Sequence, residues 1–337
     1  MQLLIQLLYL YPTMLKQIFD QYLQDSNYSQ KEPQELYEPL DYMLSLGGKR
    51  IRPLSVLIAC SLFSDNIKQA LPAAYAVELF HNFSLIHDDI MDNSDIRRGK
   101  PTVHKKWDEN TAILSGDAMF VYAYEHLSKL PPAVLPAALM AFNEAAIGVC
   151  EGQQKDINFE KRLANSVTTE EYIDMIELKT SILIYGAMKI GALVGGASQE
   201  DAERVGLFGK NLGIAFQLQD DYLDTFGDTA KVGKRIGGDI LQNKKTYLVI
   251  KALELAEEAS KVELIDWLTH QVSLEQEQAK IDKVTALFHQ LEIPKELQTA
   301  IKKYNDLALE NLAAIELSDE KKKPLLDLLH QLMEREY

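Results

Sequence analysis

The chain has 337 residues, 47% of them hydrophobic and 25% charged, with a formal net charge of −15. That balance supplies a large core and argues against a nucleic-acid-binding surface, which is ordinarily basic. Two lone cysteines, Cys60 and Cys150, support neither a disulfide framework nor a zinc site and fit a reducing cytoplasm.

The N-terminal "MQLLIQLLYLYPTML" is too short to span a bilayer and lacks a basic leader and a cleavage site, so it reads as a first amphipathic helix, and no transmembrane segment is expected. "LDYMLSLG" keeps helical spacing, and "SLGGKRIRP" (45–53) breaks it with glycines and the cations Lys49, Arg50 and Arg52. Pro53 then begins the apolar helix "PLSVLIACSLF". Pro72 suits the first turn of "LPAAYAVELFHNFSLI", which runs into "SLIHDDIMD" (84–92). A loop with Arg97 and Arg98 follows, "NSDIRRGKPTVHKKW" (93–107). Pro132 suits the first turn of "LPAALMAFNEAAIGVC", and Thr168 with Glu171 resembles a capping box opening "EEYIDMIELKTSILIYGAMKIGALVGG". "QLQDDYLD" (217–224) repeats the earlier acidic spacing, and "TFGDTAKVGKRIGGDILQNKKT" (225–246) follows it with Lys231, Lys234, Arg235, Lys244 and Lys245. Acidic helices such as "ALELAEEASKVE" come next. No stretch alternates long enough for a sheet, and no linker or solenoid-like repeat interrupts the chain. The expectation is an all-α fold of about ten or more helices in a single domain, 1–337, although length alone suggests about two domains.

The two acidic clusters need a reason. On a helix, Asp88 and Asp92 share a face with Cβ atoms about 5–6 Å apart, and Asp89 flanks them. Asp220, Asp221 and Asp224 repeat the pattern. Such like-charge pairs destabilise a helix by a few tenths of a kcal/mol and raise carboxylate pKa values. A divalent cation reverses both penalties. Oxygen-only ligands select a hard ion, and Mg²⁺ takes one or two carboxylates while leaving its other positions to water and phosphate. His81 lies seven residues before Asp88, and Gln217 lies three before Asp220 and seven before Asp224. Polar groups in a stripe on otherwise apolar helices imply a cavity. The helix start at "GGKRIRP", with its cations, reads as an anion site. Two anion sites, one metal-mediated and one basic, imply two phosphorylated ligands. An apolar cavity between them suits ionisation of an allylic diphosphate followed by carbon–carbon bond formation.

The motifs "GGKRIRP", "HNFSLIHDDIMDNSDIRRGKPT", "ELKTS", "GIAFQLQDDYLD" and "GKRIGGDILQNKKT", in this order over roughly residues 40–250, resemble those of the trans-type isoprenyl diphosphate synthases, or polyprenyl synthetases, of the short-chain farnesyl/geranylgeranyl type. The resemblance implies the isoprenoid synthase fold, a cytoplasmic homodimer, and a prenyltransferase that condenses an allylic diphosphate with isopentenyl diphosphate with the help of about three Mg²⁺ ions per site. It assigns Asp88, Asp92, Asp220 and Asp224 to the metal, with Asp89 and Asp221 supporting them. Lys49, Arg52 and His81, helped by Arg98, would hold the isopentenyl diphosphate. Arg97, Lys179, Thr180, Gln217, Lys234 and Lys244 would bind the allylic diphosphate or steady the nascent cation. Gly238 stands where the family often has Thr or Lys, and the first cluster is the short form without insertion.

Product length is expected to depend on the residues before Asp88. Helical geometry alone selects Phe80, about 12 Å down the axis, whereas the family pattern selects Phe83, about 7.5 Å down. Ser84 is small, which favours a C20 over a C15 product. Two rivals remain at this point. A class I terpene cyclase shares the ionisation chemistry but lacks the basic element and the second cluster. A noncatalytic regulatory subunit would have lost one cluster.

Overall fold

Some helix starts follow local chemistry, as at the Asp108 and Thr168 side-chain caps and the first-turn Pro72. The computed structural model describes residues 2–25, 28–227, 236–269 and 272–333, with the side chains of 2–12 and of Ser29 excepted. Its principal helices are α1 (Gln2–Gln24), α2 (Gln34–Ser45), α3 (Ile51–Ser61), α4 (Leu71–Met91), α5 (Glu109–Leu127), α6 (Leu135–Lys161), α7 (Thr169–Gly195) and α8 (Gln199–Phe226). They continue as α9 (Tyr247–Leu255), α10 (Glu258–Thr269), α11 (Glu277–Gln290), α12 (Ile293–Ala313) and α13 (Asp319–Met333). Among the described residues the only sheet is a hairpin of Ile96–Arg97 with Lys100–Pro101.

Four expected helix starts can be compared directly. The Thr168/Glu171 capping box is present, with each side chain bonded to the other's backbone N–H. Pro72 lies in the first turn of α4. Two other starts differ. Helix α3 begins at Ile51 rather than Pro53, so the proline sits within the first turn, where its missing N–H has no partner to lose. Pro132 precedes α6, and Pro136 occupies the first turn instead.

Compactness divides the chain into two units: one of residues 1–146, 186–206 and 316–325, the other of 147–185, 207–315 and 326–337. Four of the boundaries fall inside α6, α7, α8 and α13, and the fifth, at 315/316, falls in the connection between α12 and α13. In the first unit α4 packs most extensively on α5, with Phe19, Tyr75, Phe80 and Phe142 among the fully buried side chains. In the second unit the core gathers Leu218, Ile250, Val284, Phe288 and Leu297 around α8, α9, α11 and α12. Helix α7 is long and apolar enough to cross a membrane, but most of its apolar stretch is buried inside the protein, as in a core helix.

Candidate active site

In the first unit, the end of α4 carries one acidic cluster. Asp92 caps this helix, its N–H donating to the Asp88 carbonyl at 2.8 Å. The three carboxylates do not behave alike. Asp89 turns inward, 1% exposed, and both its oxygens accept from Arg97 Nε, at 2.9 and 2.8 Å. Arg97 Nη2 adds a third contact at 2.7 Å and lies 3.8 Å from Asp88. Asp88 is half-buried and Asp92 exposed. Arg97 reaches this position because the hairpin turns tightly at Arg98–Gly99, both at positive φ (53° and 74°) as a type I′ turn requires.

The same hairpin binds the basic loop before α3. Arg98 Nη1 donates to the Gly47 carbonyl, and a Cβ on Gly48 (φ 129°) would come within 2.9 Å of the Arg98 guanidinium. The cations of "GGKRIRP" then take three separate roles. Lys49 is exposed. Arg50 is 8% exposed and forms a buried ion pair with Glu78, and its Nη2 also donates to the Leu44 carbonyl at 2.6 Å. Arg52 lies 3.2 Å from His81 Nε2 through its Nη1. A guanidinium can only donate, so His81 accepts at Nε2 and carries its proton on Nδ1. Burial, reinforced by Arg52 and the neighbouring arginines, holds the His81 pKa well below its ordinary value. Burial also pushes Arg52 down to about 10, Glu78 opposing and Arg98 adding to the effect. The Arg52 Nε is buried with no hydrogen-bond partner. A cluster with an unused buried donor and a neutral imidazole is built for an anion.

The second unit holds the other acidic cluster on the last two turns of α8. Its middle member again turns inward. Asp221 is 3% exposed and accepts from Tyr172 Oη at 2.6 Å, Tyr247 N at 3.3 Å and Gln217 Nε2 at 3.4 Å. Among the described residues these three partners are all neutral. Burial therefore pushes the Asp221 carboxyl up to about 7, with the Tyr172 hydrogen bond opposing and Asp239 adding to the rise. Asp220 and Asp224 are half-buried. Asp224 Oδ2 accepts from Asp239 N at 2.9 Å, and Lys244 Nζ pairs with Asp239 at 2.8 Å.

Lys179 and Thr180 lie in a π-helical segment, Glu177–Ser181, inside α7. Such widened turns redirect side chains. Lys179 donates to Asp156 on α6. Gly152 allows this approach, since a Cβ there would come within 2.2 Å of the Lys179 backbone N. Lys231, Lys234 and Arg235 lie outside the described residues.

Upstream of Asp88, Phe80 is 1% exposed and lodged against Phe83, Phe120 and Phe142, with ring centroids 5.5–5.8 Å apart. Phe83 is half-buried and stacks on Phe120 at 5.1 Å and 27°. Ser84 Oγ bonds back to the His81 carbonyl at 2.8 Å.

Sequence reasoning missed Glu78, Asp156, Tyr172, Asp239 and Phe120. Glu78 had a signal, a lone charge inside the apolar run "AYAVELF". Asp156 had a weaker one, the polar stretch "EGQQKD" within an apolar helix. Tyr172, Asp239 and Phe120 reach the site through tertiary packing and left no pattern.

Among the described residues no three histidine, cysteine, aspartate or glutamate side chains converge to hold a metal ion by themselves. Besides its buried inward carboxylate, Asp89 or Asp221, each cluster has an outer pair that is half-buried or exposed. That donor set fits a hard cation completed by water and phosphate, not an all-protein cage.

Residues 33–288 match the profile of the family described as Polyprenyl synthetase. A geranylgeranyl diphosphate synthase of Methanosarcina mazei is 46% identical over 224 residues, covering 66% of this chain and 68% of the relative. One of Saccharolobus solfataricus is 38% identical over 314 residues, 90% of this chain and 91% of the relative. A crystal structure of a geranylgeranyl pyrophosphate synthase superimposes with a TM-score of 0.90 at 43% identity, covering 97% of this chain and 99% of the other.

Proposed function

The chain belongs to the polyprenyl synthetase family, and from that premise we propose that it makes geranylgeranyl diphosphate from a shorter allylic diphosphate and isopentenyl diphosphate. It is a prenyltransferase of the short-chain trans type. The observation that carries the reading is the division of α4. One helix presents a buried cationic cluster at His81 and an acidic pair at Asp88 and Asp92, seven residues or about 10 Å further on. These two chemistries suit two different diphosphates.

Arg52, His81 and Arg98, with Lys49 at the rim, bind the isopentenyl diphosphate, and the Arg52 Nε finds its missing acceptor there. Asp88 and Asp92, with Asp220 and Asp224, would hold the Mg²⁺ ions, about three in number, while Asp89 and Asp221 fix the helix ends behind them. Held there, Mg²⁺ would neutralise the diphosphate charge and make it a better leaving group. Arg97, Lys179, Lys234 and Lys244 orient the allylic diphosphate, while Thr180 and Gln217 steady the developing cation with their dipoles. The C1–oxygen bond of the allylic substrate breaks, the isopentenyl double bond attacks C1, and the released diphosphate takes the proton lost from the adduct. The chain contributes position and field rather than a covalent nucleophile.

Phe83, stacked on Phe120, closes the growing hydrocarbon end, with Ser84 leaving room above it and Phe80 supporting it from the core. The names of the relatives support C20 over C15. The whole chain acts as one domain. Exposed Leu114 and Val121, one stripe of α5, with Met140 on α6, support a homodimer. The free thiols Cys60 and Cys150 fit the cytoplasm.

Chromatography of products from dimethylallyl, geranyl and farnesyl diphosphates, each with and without labelled isopentenyl diphosphate and Mg²⁺, tests this. The expected result is a C20 product that requires isopentenyl diphosphate. A cyclised hydrocarbon formed without it would make the chain a terpene cyclase instead.

A further inference from the structure

Helix α11 lies beyond all the sequence motifs, yet it carries a buried charge. Lys280 is 1% exposed, and its ammonium donates to the side-chain oxygen of Asn243, a neutral amide rather than a carboxylate. Placing an ammonium in such a site is costly, of the order of several kcal/mol. Burial lowers its pKa accordingly. Its partner is also constrained, since Asn243 holds a left-handed backbone at φ 55°. The next residue of α11, Ile281, forms the floor beneath Gly237 (φ 81°), where a Cβ would come within 2.8 Å of the isoleucine side chain. Helix α11 thus supports both ends of the segment 237–243.

That segment is wired to the acidic end of α8. Gly237 N donates to the Asp224 carbonyl at 2.6 Å, and Asp239 N to Asp224 Oδ2 at 2.9 Å. Lys244 follows Asn243 directly, donates from its backbone to the Asp239 carbonyl at 3.0 Å, and pairs with the Asp239 carboxylate at 2.8 Å. The Gly237 end is held by backbone bonds and packing. On the Asn243 side, the tie to α11 among the described residues is the side-chain bond from Lys280.

We propose that Lys280 is a positioning residue for the allylic diphosphate: by tethering Asn243 it holds Lys244 and Asp239 in register with Asp224. The inference rests on the prenyltransferase reading above. It assigns a role in the site to a residue that touches no substrate, and it separates that role from folding. Lys280→Met removes a buried ammonium that is costly to hold and leaves behind only a neutral, half-buried amide that water can satisfy, so loss of the tether and loss of the fold give different signatures.

The test compares the parent with Lys280→Met and Asn243→Asp. Three readouts are taken: thermal unfolding, amide hydrogen exchange across residues 236–246, and KM for each substrate. Lys280→Met is expected to melt at or above the parent temperature, to exchange faster across the segment, and to raise KM for the allylic diphosphate about tenfold with KM for isopentenyl diphosphate within about twofold. Asn243→Asp, which keeps an acceptor for the ammonium, is expected to retain the parent's exchange and KM values. A Lys280→Met protein that melts several degrees lower with both KM values raised together would reduce Lys280 to a packing residue and overturn the proposal. Unchanged exchange and unchanged KM would overturn it equally. If the parent itself fails to join the two substrates, the functional reading falls, while the exchange comparison still decides the tether.

Discussion

The two acidic helix ends share a spacing but are held in different ways. At the end of α4, the inward carboxylate Asp89 is clamped by a guanidinium, with both oxygens engaged by Arg97. At the end of α8, the inward carboxylate Asp221 is held by a phenol, a backbone amide and a carboxamide, all neutral. The first device fixes a charge by pairing it. The second fixes a position and leaves the charge to the surroundings, so burial raises the Asp221 carboxyl to about 7. One motif written twice in the sequence therefore yields two electrostatically distinct supports.

The largest expected effect that sharpens this contrast is Arg97→Leu. It strands a buried carboxylate, and urea denaturation should show a loss of about 3–5 kcal/mol. Tyr172→Phe removes one neutral hydrogen bond and should cost only about 1–2 kcal/mol by the same measurement. Equal losses from the two variants would erase the distinction between the supports.

A pH series probes the second support alone. The folded Asp221 pKa of about 7 lies above the ordinary carboxylate value near 3.8, so the folded chain binds this proton more tightly than the unfolded chain does. Its contribution to stability is present below about pH 4 and is lost as pH rises through about 7. Without Mg²⁺, the parent minus Asp221→Asn difference in melting temperature should therefore shift against the parent between pH 5 and pH 8, as followed by calorimetry. A pH-independent difference would contradict the burial argument. Smallest in energy is Phe83→Ala, which removes a half-buried ring stacked on Phe120. It should fold and lengthen the product beyond C20 in the chromatographic assay. Phe80→Ala, taken from the fully buried core, should instead cost about 3–5 kcal/mol of stability.

Much of this molecule was legible in the chain. Apolar residues at helical spacing and a capping box carry the all-α reading, because both signals are local. The motif residues could be named because their spacing places them on one helix face. What spacing could not reveal is direction across the fold. Nothing in "DDIMD" says that Asp89 turns inward to meet an arginine eight residues on, since that depends on the type I′ turn at Arg98–Gly99. Nor does "GGKRIRP" show that Arg50 is spent on Glu78 while Arg52 keeps a free donor. The π-segment that redirects Lys179 needs the close approach of Gly152 from another helix, a tertiary fact without local pattern.

The proposed separation of each cluster into an outer pair that would bind the cation and an inner, structural carboxylate is tested most directly by kcat at saturating Mg²⁺ for Asp88→Asn beside Asp89→Asn. The expected outcome is a loss of about 10²–10³ for Asp88→Asn, with Asp89→Asn, whose amide oxygen still accepts from Arg97, retaining activity within about tenfold. A folded Asp89→Asn protein as inactive as Asp88→Asn, or an Asp88→Asn protein turning over at the parent's rate, would contradict it.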